Sequence, residues 1–398
     1  MVIWARRGVG ILCGFVLVAL AAAPAAASGT GRSSHSAPVC GPALAGLASC
    51  HSFFVLDRSG AKPFASTSPQ GYRPADLQSA YKLPSSTAGS GQTVAIVDAY
   101  DDPKAESDLG IYRSTFGLTP CTTANGCFRK VNQTGGTSYP RGDRGWALEI
   151  SLDVQMVSAI CPNCHILLVE ASSNSLANLE AAVNEAATLG AKEISNSYGG
   201  SESSGETSAD AAYKHPGIAI TASSGDGGYG VEYPAASQYV TAVGGTTLTR
   251  ASSTSRGWTE TAWSGAGSGC SAYESQPSWQ FNNTNIKSVC GHRAVADVSA
   301  DANPSTGVSV YDTYAYQGQS GWFVIGGTSV SSPVIASVYA LAGNAGAVTY
   351  GSYPYSNSTS LWDITSGSNG TCGNLLCNAT TGWDGPTGLG TPNGTGAF

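Results

Sequence analysis

Residues 325–333 read Ile-Gly-Gly-Thr-Ser-Val-Ser-Ser-Pro. The apolar run 322–325 is typical of a strand, and residues 334–341 are typical of a helix with Pro333 in its first turn. The two glycines permit a tight turn and a close approach of the backbone to a ligand. Ser329 is then expected at a helix N-terminus, where the helix dipole favours the negative charge of an attacking hydroxyl. The alternative is that Ser329 only caps the helix.

The composition excludes some classes of partner. The chain has 398 residues, of which 11% are charged, and its net charge is −7. A charged fraction well below the usual quarter indicates a loop-rich protein with a largely neutral surface. The negative net charge argues against nucleic acid and gives no reason to expect an anionic membrane surface as a partner. We therefore expect no nucleic-acid partner and no stable membrane association. We also expect a monomer.

The first residues are typical of an export signal. Arg6 and Arg7 precede an apolar run over 9–23, and three alanines at 25–27 supply small residues for cleavage before Ser28. A membrane anchor is the alternative, but the apolar run is short for a bilayer span. We predict a signal peptide over residues 1–27 and a secreted, extracellular protein.

Cysteine usage agrees with export. Cys13 lies in the predicted signal, and the ten others fall in close pairs along the chain. We expect disulfides between nearest neighbours, although sequence alone does not fix the connectivity. The Cys-Pro-Asn-Cys stretch has a redox alternative, and outside the reducing cytosol a structural bridge is favoured. The pairs are Cys40/Cys50, Cys121/Cys127, Cys161/Cys164, Cys270/Cys290 and Cys372/Cys377.

Strand-like and helix-like segments alternate along the chain. Such alternation predicts an α/β fold, a doubly wound parallel sheet flanked by helices, with functional sites at the carboxyl ends of the strands. Residues 28–70 are interpreted as a short pro-segment or N-terminal extension, and residues 71–398 as a single catalytic domain. Residues 250–320 give fewer clear elements. The predicted strands are 92–98, 165–170, 192–197, 218–222 and 239–243, and the predicted helices are 103–116, 146–160, 175–189 and 209–214.

Two carboxylates stand four residues apart in the apolar helix predicted over 146–160. Glu149 and Asp153 would share one face of that helix. Two like charges repel, and partial burial would raise one pKa and leave a proton shared between them. A carboxylate with such a neighbour can act as a general base at acid pH. The alternative is a solvated acidic face, which the apolar flanking residues disfavour.

A third acid, Asp226, directly follows the predicted strand 218–222 in a Ser-Ser-Gly-Asp-Gly-Gly segment. It is either part of a plain turn or, when protonated, a hydrogen-bond donor to an oxyanion. Histidine is the usual base for a nucleophilic serine. None of the five histidines stands in a His-Gly-Thr-His type of motif, and each is interpreted as structural: His35, His51, His165, His215 and His292.

In this order along the chain, Glu149-x-x-x-Asp153, the turn at Asp226 and Gly-Gly-Thr-Ser329-x-x-x-Pro333 resemble the sedolisin (serine-carboxyl peptidase) family. The resemblance covers about residues 90–397 and implies a subtilisin-like fold. It implies that Ser329 is the nucleophile, that Glu149 is its base and that Asp153 orients Glu149. Asp226 would stand in the oxyanion hole.

Other segments resemble the same family. Residues 196–200 look like its substrate-side strand, and 362–367 with 382–390 resemble its calcium loop. Calcium takes six to eight oxygen ligands. The resemblance implies one structural Ca²⁺ bound by carboxylates and backbone oxygens, and the alternative is two unconnected turn aspartates. The implied ligands are the carboxylates of Asp363 and Asp384 and the backbone oxygens of Ile364, Thr380 and Gly382.

Some features depart from the family pattern. Its members usually carry a large N-terminal prodomain, whereas only residues 1–70 precede the body here. Asp98 ends the first predicted strand, where subtilisins carry their catalytic aspartate, but the alternative Ser-His-Asp site lacks a suitable histidine motif. We interpret Asp98 as a turn or strand-end residue.

The leading hypothesis is a secreted serine-carboxyl endopeptidase that hydrolyses proteins and peptides at acid pH. The alternative is a catalytically silent exported binding protein on a peptidase scaffold. A glycosidase is disfavoured because helically adjacent carboxylates do not straddle a sugar bond.

Overall fold

The structure, a computed structural model, describes residues 1–4 and 36–398. Short strands make up most of its regular secondary structure. The predicted signal peptide, apart from residues 1–4, lies outside the described residues. The strands are β1 Ser36–Pro38, β2 Ser49–Cys50, β3 Phe53–Val55, β4 Ala65–Ser66, β5 Thr93–Ala99, β6 Phe128–Asn132, β7 His165–Ala171, β8 Glu193–Asn196, β9 Tyr198–Ser201, β10 Ala219–Ser223, β11 Glu232–Tyr233, β12 Thr241–Arg250, β13 Trp258–Ala262, β14 Gly269–Ser275, β15 His292–Val295, β16 Val298–Asp301, β17 Val308–Asp312, β18 Gly321–Gly326, β19 Leu361–Trp362 and β20 Thr391–Pro392.

The helices lie between these strands, as the alternating pattern predicts. The α-helices are α1 Pro74–Ala80, α2 Ala105–Thr115, α3 Arg144–Ile160, α4 Leu176–Thr188, α5 Glu206–Ala209, α6 Thr284–Val289, α7 Thr328–Ala342 and α8 Ser352–Ser356. The sequence places β5, α2, α3, β7, α4, β8 and β10 within a few residues of their observed bounds. No helix in the described part of the chain is long and apolar enough to cross a membrane.

The central sheet has the strand order β13-β12-β10-β8-β5-β7-β6, with β16 also paired to β12. All of these pairings are parallel except that of β12 with β13. Parallel strands covered on both faces need apolar side chains throughout, which explains the runs Val94–Val97 and Ile166–Val169. The predicted doubly wound parallel sheet is confirmed.

α3 is buried along almost its whole length. Every residue from Trp146 to Ile160 is buried, including the charged residues Glu149 and Asp153. Asp143 caps it by accepting hydrogen bonds from the N–H groups of Gly145 and Trp146. α3 packs against α7, and α7 packs on β8, β10 and β16. This packing brings two buried helices together at the sheet.

α7 begins earlier than the sequence predicts. It starts at Thr328, directly after Gly327 with φ +105°, so Pro333 lies in the second helical turn and not in the first. Proline cannot donate to the carbonyl four residues before it. The Ser329 carbonyl oxygen accepts a hydrogen bond from Ser197 Oγ instead, at 3.4 Å. The prediction that Ser329 lies at a helix N-terminus is confirmed.

Residues 36–66, which the sequence assigns to an N-terminal extension, pair with the body of the protein. β1, β3 and β4 join β17 and β18 in one sheet, and β2 joins β9 and β11 in another. Contacts gather Ser34–Phe398 into one unit. The segment 250–320, which shows little periodicity, nevertheless contributes β13 to β17.

All five expected disulfides are present: Cys40–Cys50, Cys121–Cys127, Cys161–Cys164, Cys270–Cys290 and Cys372–Cys377. Cys161 and Cys164 are both fully buried. Thiol exchange requires an accessible sulfur, so this pair is a structural bridge and not a redox site.

Ile194 in β8 tests the packing of the sheet. It is fully buried, so Ile194→Ala should lower the free energy of unfolding by about 2–5 kcal/mol. Ile111 on α2 is 44% exposed, and Ile111→Ala should change the free energy of unfolding by only about 0.5 kcal/mol. Urea denaturation followed by fluorescence measures both, and equal losses would contradict the burial described.

Candidate active site

The four predicted site residues come from three different elements. Glu149 and Asp153 project from α3, Ser329 is the second residue of α7, and Asp226 follows β10. Ser329, Glu149 and Asp153 are fully buried. Because α3 packs against α7, and α7 packs against β10, residues far apart in the chain meet at one place.

Ser329 is held through its backbone and its hydroxyl. Its Oγ donates to the carbonyl oxygen of Ser197 at 3.1 Å. Its backbone N–H donates to the carbonyl oxygen of His51 at 2.9 Å. An N–H at the start of a helix has no intrahelical acceptor. It can therefore donate to an oxygen from another segment, including one that develops negative charge.

Glu149 lies between Ser52 and Ser329. Its Oε2 accepts a hydrogen bond from the Ser52 hydroxyl, while Oε1 has no partner among the described residues. Burial raises the pKa of Glu149 to about 7, although the hydroxyl groups of Ser329 and Ser52 nearby oppose the shift. The nearby charge of Asp226 adds to the increase. A carboxyl with such a pKa can both take up and release a proton near neutral pH.

Asp153 and Asp98 form a second acidic layer beside Glu149. Burial raises the pKa of Asp153 well above its ordinary value, and the charges of Asp98 and Glu149 add to this. Asp98 lies in β5, fully buried, and burial with the charges of Glu149 and Glu170 also raises its pKa well above the usual range. The interpretation of Asp98 as a simple strand-end residue therefore missed its contact with the acidic cluster.

Asp226 faces the start of α7. Its Oδ1 accepts hydrogen bonds from the backbone N–H of Thr328 at 2.7 Å and from the Thr328 hydroxyl at 2.8 Å. Its Oδ2 is buried and has no partner among the described residues. Burial raises the pKa of Asp226 to about 7, against the opposing charge of His51. The protonated form would carry its hydrogen on the free oxygen, Oδ2.

Gly327 leaves the space that this arrangement needs. A Cβ at residue 327 would lie 2.2 Å from the His51 carbonyl oxygen and 2.5 Å from Asp226 Oδ2, and the φ of +105° is one that glycine adopts readily. The His51 carbonyl oxygen therefore lies close to both Ser329 N–H and Asp226 Oδ2.

The structure adds His51, Ser52, Ser223 and Glu232 to the site, none of which the sequence singles out for chemistry. The His51 ring contacts Ser223 Oγ through Nδ1 at 2.7 Å and Glu232 Oε2 through Nε2 at 3.0 Å. Although burial opposes it, the charge of Glu232 raises the pKa of His51 to about 9. No local pattern could have indicated these contacts, because the partners are 172 and 181 positions away in the chain.

The histidine alternative finds no support. Both ring nitrogens of His51 contact groups other than Ser329, and the ring of His215 contacts Asn184 and Ala212. Within the described residues, the ionisable side chain next to Ser329 is the carboxyl of Glu149.

The residues expected to bind calcium come together at the C-terminal end. Gly382 N–H donates to Asp363 Oδ2, and Thr380 N–H donates to Asp384 Oδ2, both at 2.9 Å. Burial raises the pKa of Asp384 to about 7, and hydrogen bonds from Thr380 and Thr387 oppose the shift. The charge of Asp363 adds to the increase, so the two carboxyls are electrostatic neighbours.

These residues offer oxygen atoms alone, which is the chemistry that Ca²⁺ prefers. Within the described residues, no group of three or more His, Cys, Asp or Glu side chains could hold a metal. Two carboxyls supplemented by backbone oxygens and water would fit Ca²⁺, whereas a site built from side chains alone would not.

The buried carboxyls predict how stability depends on pH. Burial raises the pKa of Glu149 and Asp226 to about 7 and that of Glu193 to about 8. In the unfolded chain such groups titrate near pH 4. The folded protein therefore binds more protons than the unfolded chain between about pH 4 and pH 8, and stability falls as pH rises through that range.

Thermal unfolding followed by circular dichroism from pH 4 to pH 8 tests this dependence. We expect the highest Tm at the acid end, and a shallower decrease in Glu193→Gln, which cannot ionise at that buried position. A Tm that rises steadily towards pH 8 would contradict the burial of these acids.

Comparison with known proteins identifies the family. The model of the subtilase family matches residues 134–351, which is more than half of the chain. Kumamolisin of Bacillus sp. (strain MN-32) is 31% identical over 371 residues, covering 83% of this chain and 63% of that protein. Sedolisin of Pseudomonas sp. (strain 101) is 30% identical over 383 residues, covering 84% and 62% respectively. The chain thus spans less than two thirds of the length of these relatives.

Solved structures of proteases have the same fold as this chain. A structure of Pseudomonas sedolisin, a serine-carboxyl proteinase complexed with two molecules of pseudo-iodotyrostatin, has a TM-score of 0.67 at 29% identity, covering 82% of this chain and 96% of that one. A psychrophilic protease, S41, has the same fold at a TM-score of 0.52 and 21% identity. The predicted subtilisin-like fold is therefore confirmed, and the chain belongs to the subtilase family, with kumamolisin and sedolisin among its relatives.

Proposed function

We propose that this protein is a secreted serine-carboxyl endopeptidase that hydrolyses proteins and peptides at acid pH through an acyl-enzyme on Ser329. The main support for the proposal is that the predicted catalytic groups lie around one peptide carbonyl, that of His51. Ser329 N–H donates to this oxygen, Asp226 Oδ2 lies beside it, and the carboxyl of Glu149 lies on the side of Ser52. Groups able to attack, to accept a proton and to stabilise an oxyanion thus surround a single peptide bond.

Each residue then has a defined role. Glu149 takes the proton of Ser329 Oγ as that oxygen attacks the carbonyl carbon, and passes it to the leaving amine. Asp153 holds Glu149 in position from one helical turn further along α3. Asp226, protonated, donates from Oδ2 to the tetrahedral oxyanion, while Ser329 N–H donates the second hydrogen bond. Removal of one such donor typically costs about 10²–10³-fold in rate.

Acid pH follows from these roles. Asp226 donates only when protonated, and burial raises its pKa to about 7. Glu149 has its pKa raised to about 7 as well, so it retains some ionised fraction below that value. As pH rises through about 7, Asp226 loses its proton and the oxyanion loses a donor. As pH falls far below 7, Glu149 loses its capacity as a base.

Secretion is supported by the export-like residues 1–27 and by the five disulfides, which persist in oxidising surroundings. The net charge of −7 argues against a nucleic-acid partner and gives no reason to expect stable membrane association, and we propose that the protein is a monomer. For the domain limits, we propose a signal over residues 1–27, a short extension over 28–70 and a peptidase domain over 71–398.

One structural Ca²⁺ is proposed near the C-terminus. Asp363 and Asp384 would supply carboxylate oxygens, and Ile364, Thr380 and Gly382 would supply backbone oxygens. When bound, the ion would neutralise two neighbouring carboxyls and fix the turn of residues 380–384 against Asp363. Its role is structural, and no catalytic step passes through it.

The alternative is a silent binding protein on a peptidase scaffold. The observation in its favour is that the chain's own segment, with His51 and Ser52, fills the cleft. The presence of Ser329, Glu149, Asp153 and Asp226 in one cluster argues for catalysis, because a scaffold that only binds has no use for buried like charges next to a serine.

Ser329→Ala distinguishes these alternatives. We expect it to lower the rate of cleavage of denatured protein at acid pH by at least about 10³-fold with little change in Tm, because it removes the nucleophile alone. Ser337 is a matched control, a buried serine on the same helix whose hydroxyl has no partner among the described residues. Ser337→Ala should retain full activity. An unchanged rate in Ser329→Ala would refute the proposed mechanism.

Chelation tests the calcium proposal. Because a ligand that binds only the folded state stabilises it, EGTA should lower the Tm of the wild type. Asp384→Asn should show a lower Tm already, with little further decrease on chelation. Asp57→Asn, at a partly exposed position just before the turn at residues 58–59, should respond to EGTA as the wild type does. The same Tm with and without EGTA in the wild type would contradict the site.

A further inference from the structure

Residues 48–52 lie across the cleft as an extended peptide would. β2 pairs antiparallel with β9, with Ser49 opposite Gly199 and Cys50 opposite Tyr198. The pairing continues past β2, since His51 N–H donates to the Ser197 carbonyl oxygen at 3.1 Å. Adding a strand to a sheet edge is a common way to bind a peptide through its main chain. This pairing delivers the His51 carbonyl to Ser329.

The peptide bond between His51 and Ser52 has the reactive groups on both sides. On the carbonyl side, Ser329 N–H donates to the His51 oxygen at 2.9 Å, with Asp226 Oδ2 nearby. On the other side, the Ser52 hydroxyl donates to Glu149 Oε2. Glu149 is therefore next to the residue whose nitrogen would leave.

The side chain of His51 occupies a closed, negatively charged pocket. The residue is only 4% exposed, and its ring lies between Ser223 Oγ and Glu232 Oε2. Gly199 forms a wall of this pocket, because a Cβ there would lie 2.6 Å from the ring and 3.0 Å from Glu232. A partly exposed carboxylate, whose side chain is 30% exposed, and one hydroxyl favour a side chain that carries a positive charge and N–H donors.

We infer that the pocket of Ser223 and Glu232 selects a cationic residue on the acyl side of the bond that is cut. We also infer that the chain's own His51–Ser52 bond is the first bond it cuts. Both statements rest on the proposed peptidase function and name its substrate class: peptides with histidine, lysine or arginine before the scissile bond.

The reaction balances with water as the co-reactant. Ser329 Oγ bonds to the His51 carbonyl carbon as its proton passes to Glu149. The bond from that carbon to the Ser52 nitrogen then breaks, and Glu149 gives the proton to the nitrogen. Water adds to the resulting ester and releases a fragment that ends in the His51 carboxylate. The remaining chain begins with the Ser52 amine.

Among residues 36–398, no disulfide joins the two products. Cys40 and Cys50 bridge to each other within the fragment that precedes the cut. The fragment is otherwise held by strand pairing, β1 with β3 and β2 with β9. It should therefore separate from the body on denaturation without any reducing agent.

The first test is intact mass and N-terminal sequencing of the purified exported chain after incubation at acid pH, without reduction. We expect a product that begins at Ser52, and no such product from Ser329→Ala. Digestion of added denatured protein is measured in parallel. Digestion without a cut between His51 and Ser52 would overturn the inference and leave the proposed function intact. Loss of both reactions would overturn the proposed function, and the inference with it.

Two substitutions at His51 test the pocket within the chain. His51→Lys keeps a cation and should still be cut after residue 51. His51→Leu keeps the bulk without the charge and should be cut more slowly by about 10- to 100-fold, the change that corresponds to a lost hydrogen bond between charged groups. Equal rates for the two variants would contradict selection by charge.

Glu232→Gln tests the pocket on added peptides. Pairs of peptides that differ only in lysine or leucine before the scissile bond give a ratio of kcat/KM values. We expect this ratio to fall about 10- to 100-fold in Glu232→Gln, while the rate on the leucine peptide is largely kept. Glu185→Gln on α4 changes the net charge equally and should leave the ratio unchanged. An unchanged ratio in Glu232→Gln would refute the assignment of this subsite.

Discussion

Burial of several carboxyl groups beside one serine is the constraint on which the rest of this structure depends. Glu149 and Asp153 on α3 and Asp98 in β5 lie together with no solvent contact. Their charges cannot all persist there, so burial raises their pKa values and favours the protonated forms. The packing of α3 against α7 thus places next to Ser329 a group of carboxyls that are protonated at acid pH.

The N-terminal segment complements this cluster. It supplies strands to two sheets, places a peptide carbonyl at Ser329 N–H, and covers Glu149 with the Ser52 hydroxyl. In that position the segment covers the site and lies where a peptide substrate would bind. The ion pair of His51 with Glu232, at 3.0 Å, anchors the segment beside the site.

The sequence indicated most of the fold and the central residues of the site, because both depend on local patterns. Apolar runs predicted β5, β7, β8 and β10, and spacing with residue type indicated Glu149, Asp153 and Ser329. The pocket of His51 depends on pairing between a two-residue strand and residues more than 170 positions away, which no local pattern encodes. Likewise, Pro333 suggested too late a start for α7, since the turn at Gly327 and not the proline sets where the helix begins.

The most direct measurement of the central claim is the pH dependence of the initial rate of cleavage of denatured protein, for the wild type and for Glu149→Gln. Carboxyl catalysis predicts a wild-type rate that is highest in acid and is lost as pH rises through about 7, where burial places the pKa of Asp226. It also predicts that Glu149→Gln is nearly inactive throughout. A wild-type rate that increases from acid to alkaline pH, with Glu149→Gln still active, would contradict the account.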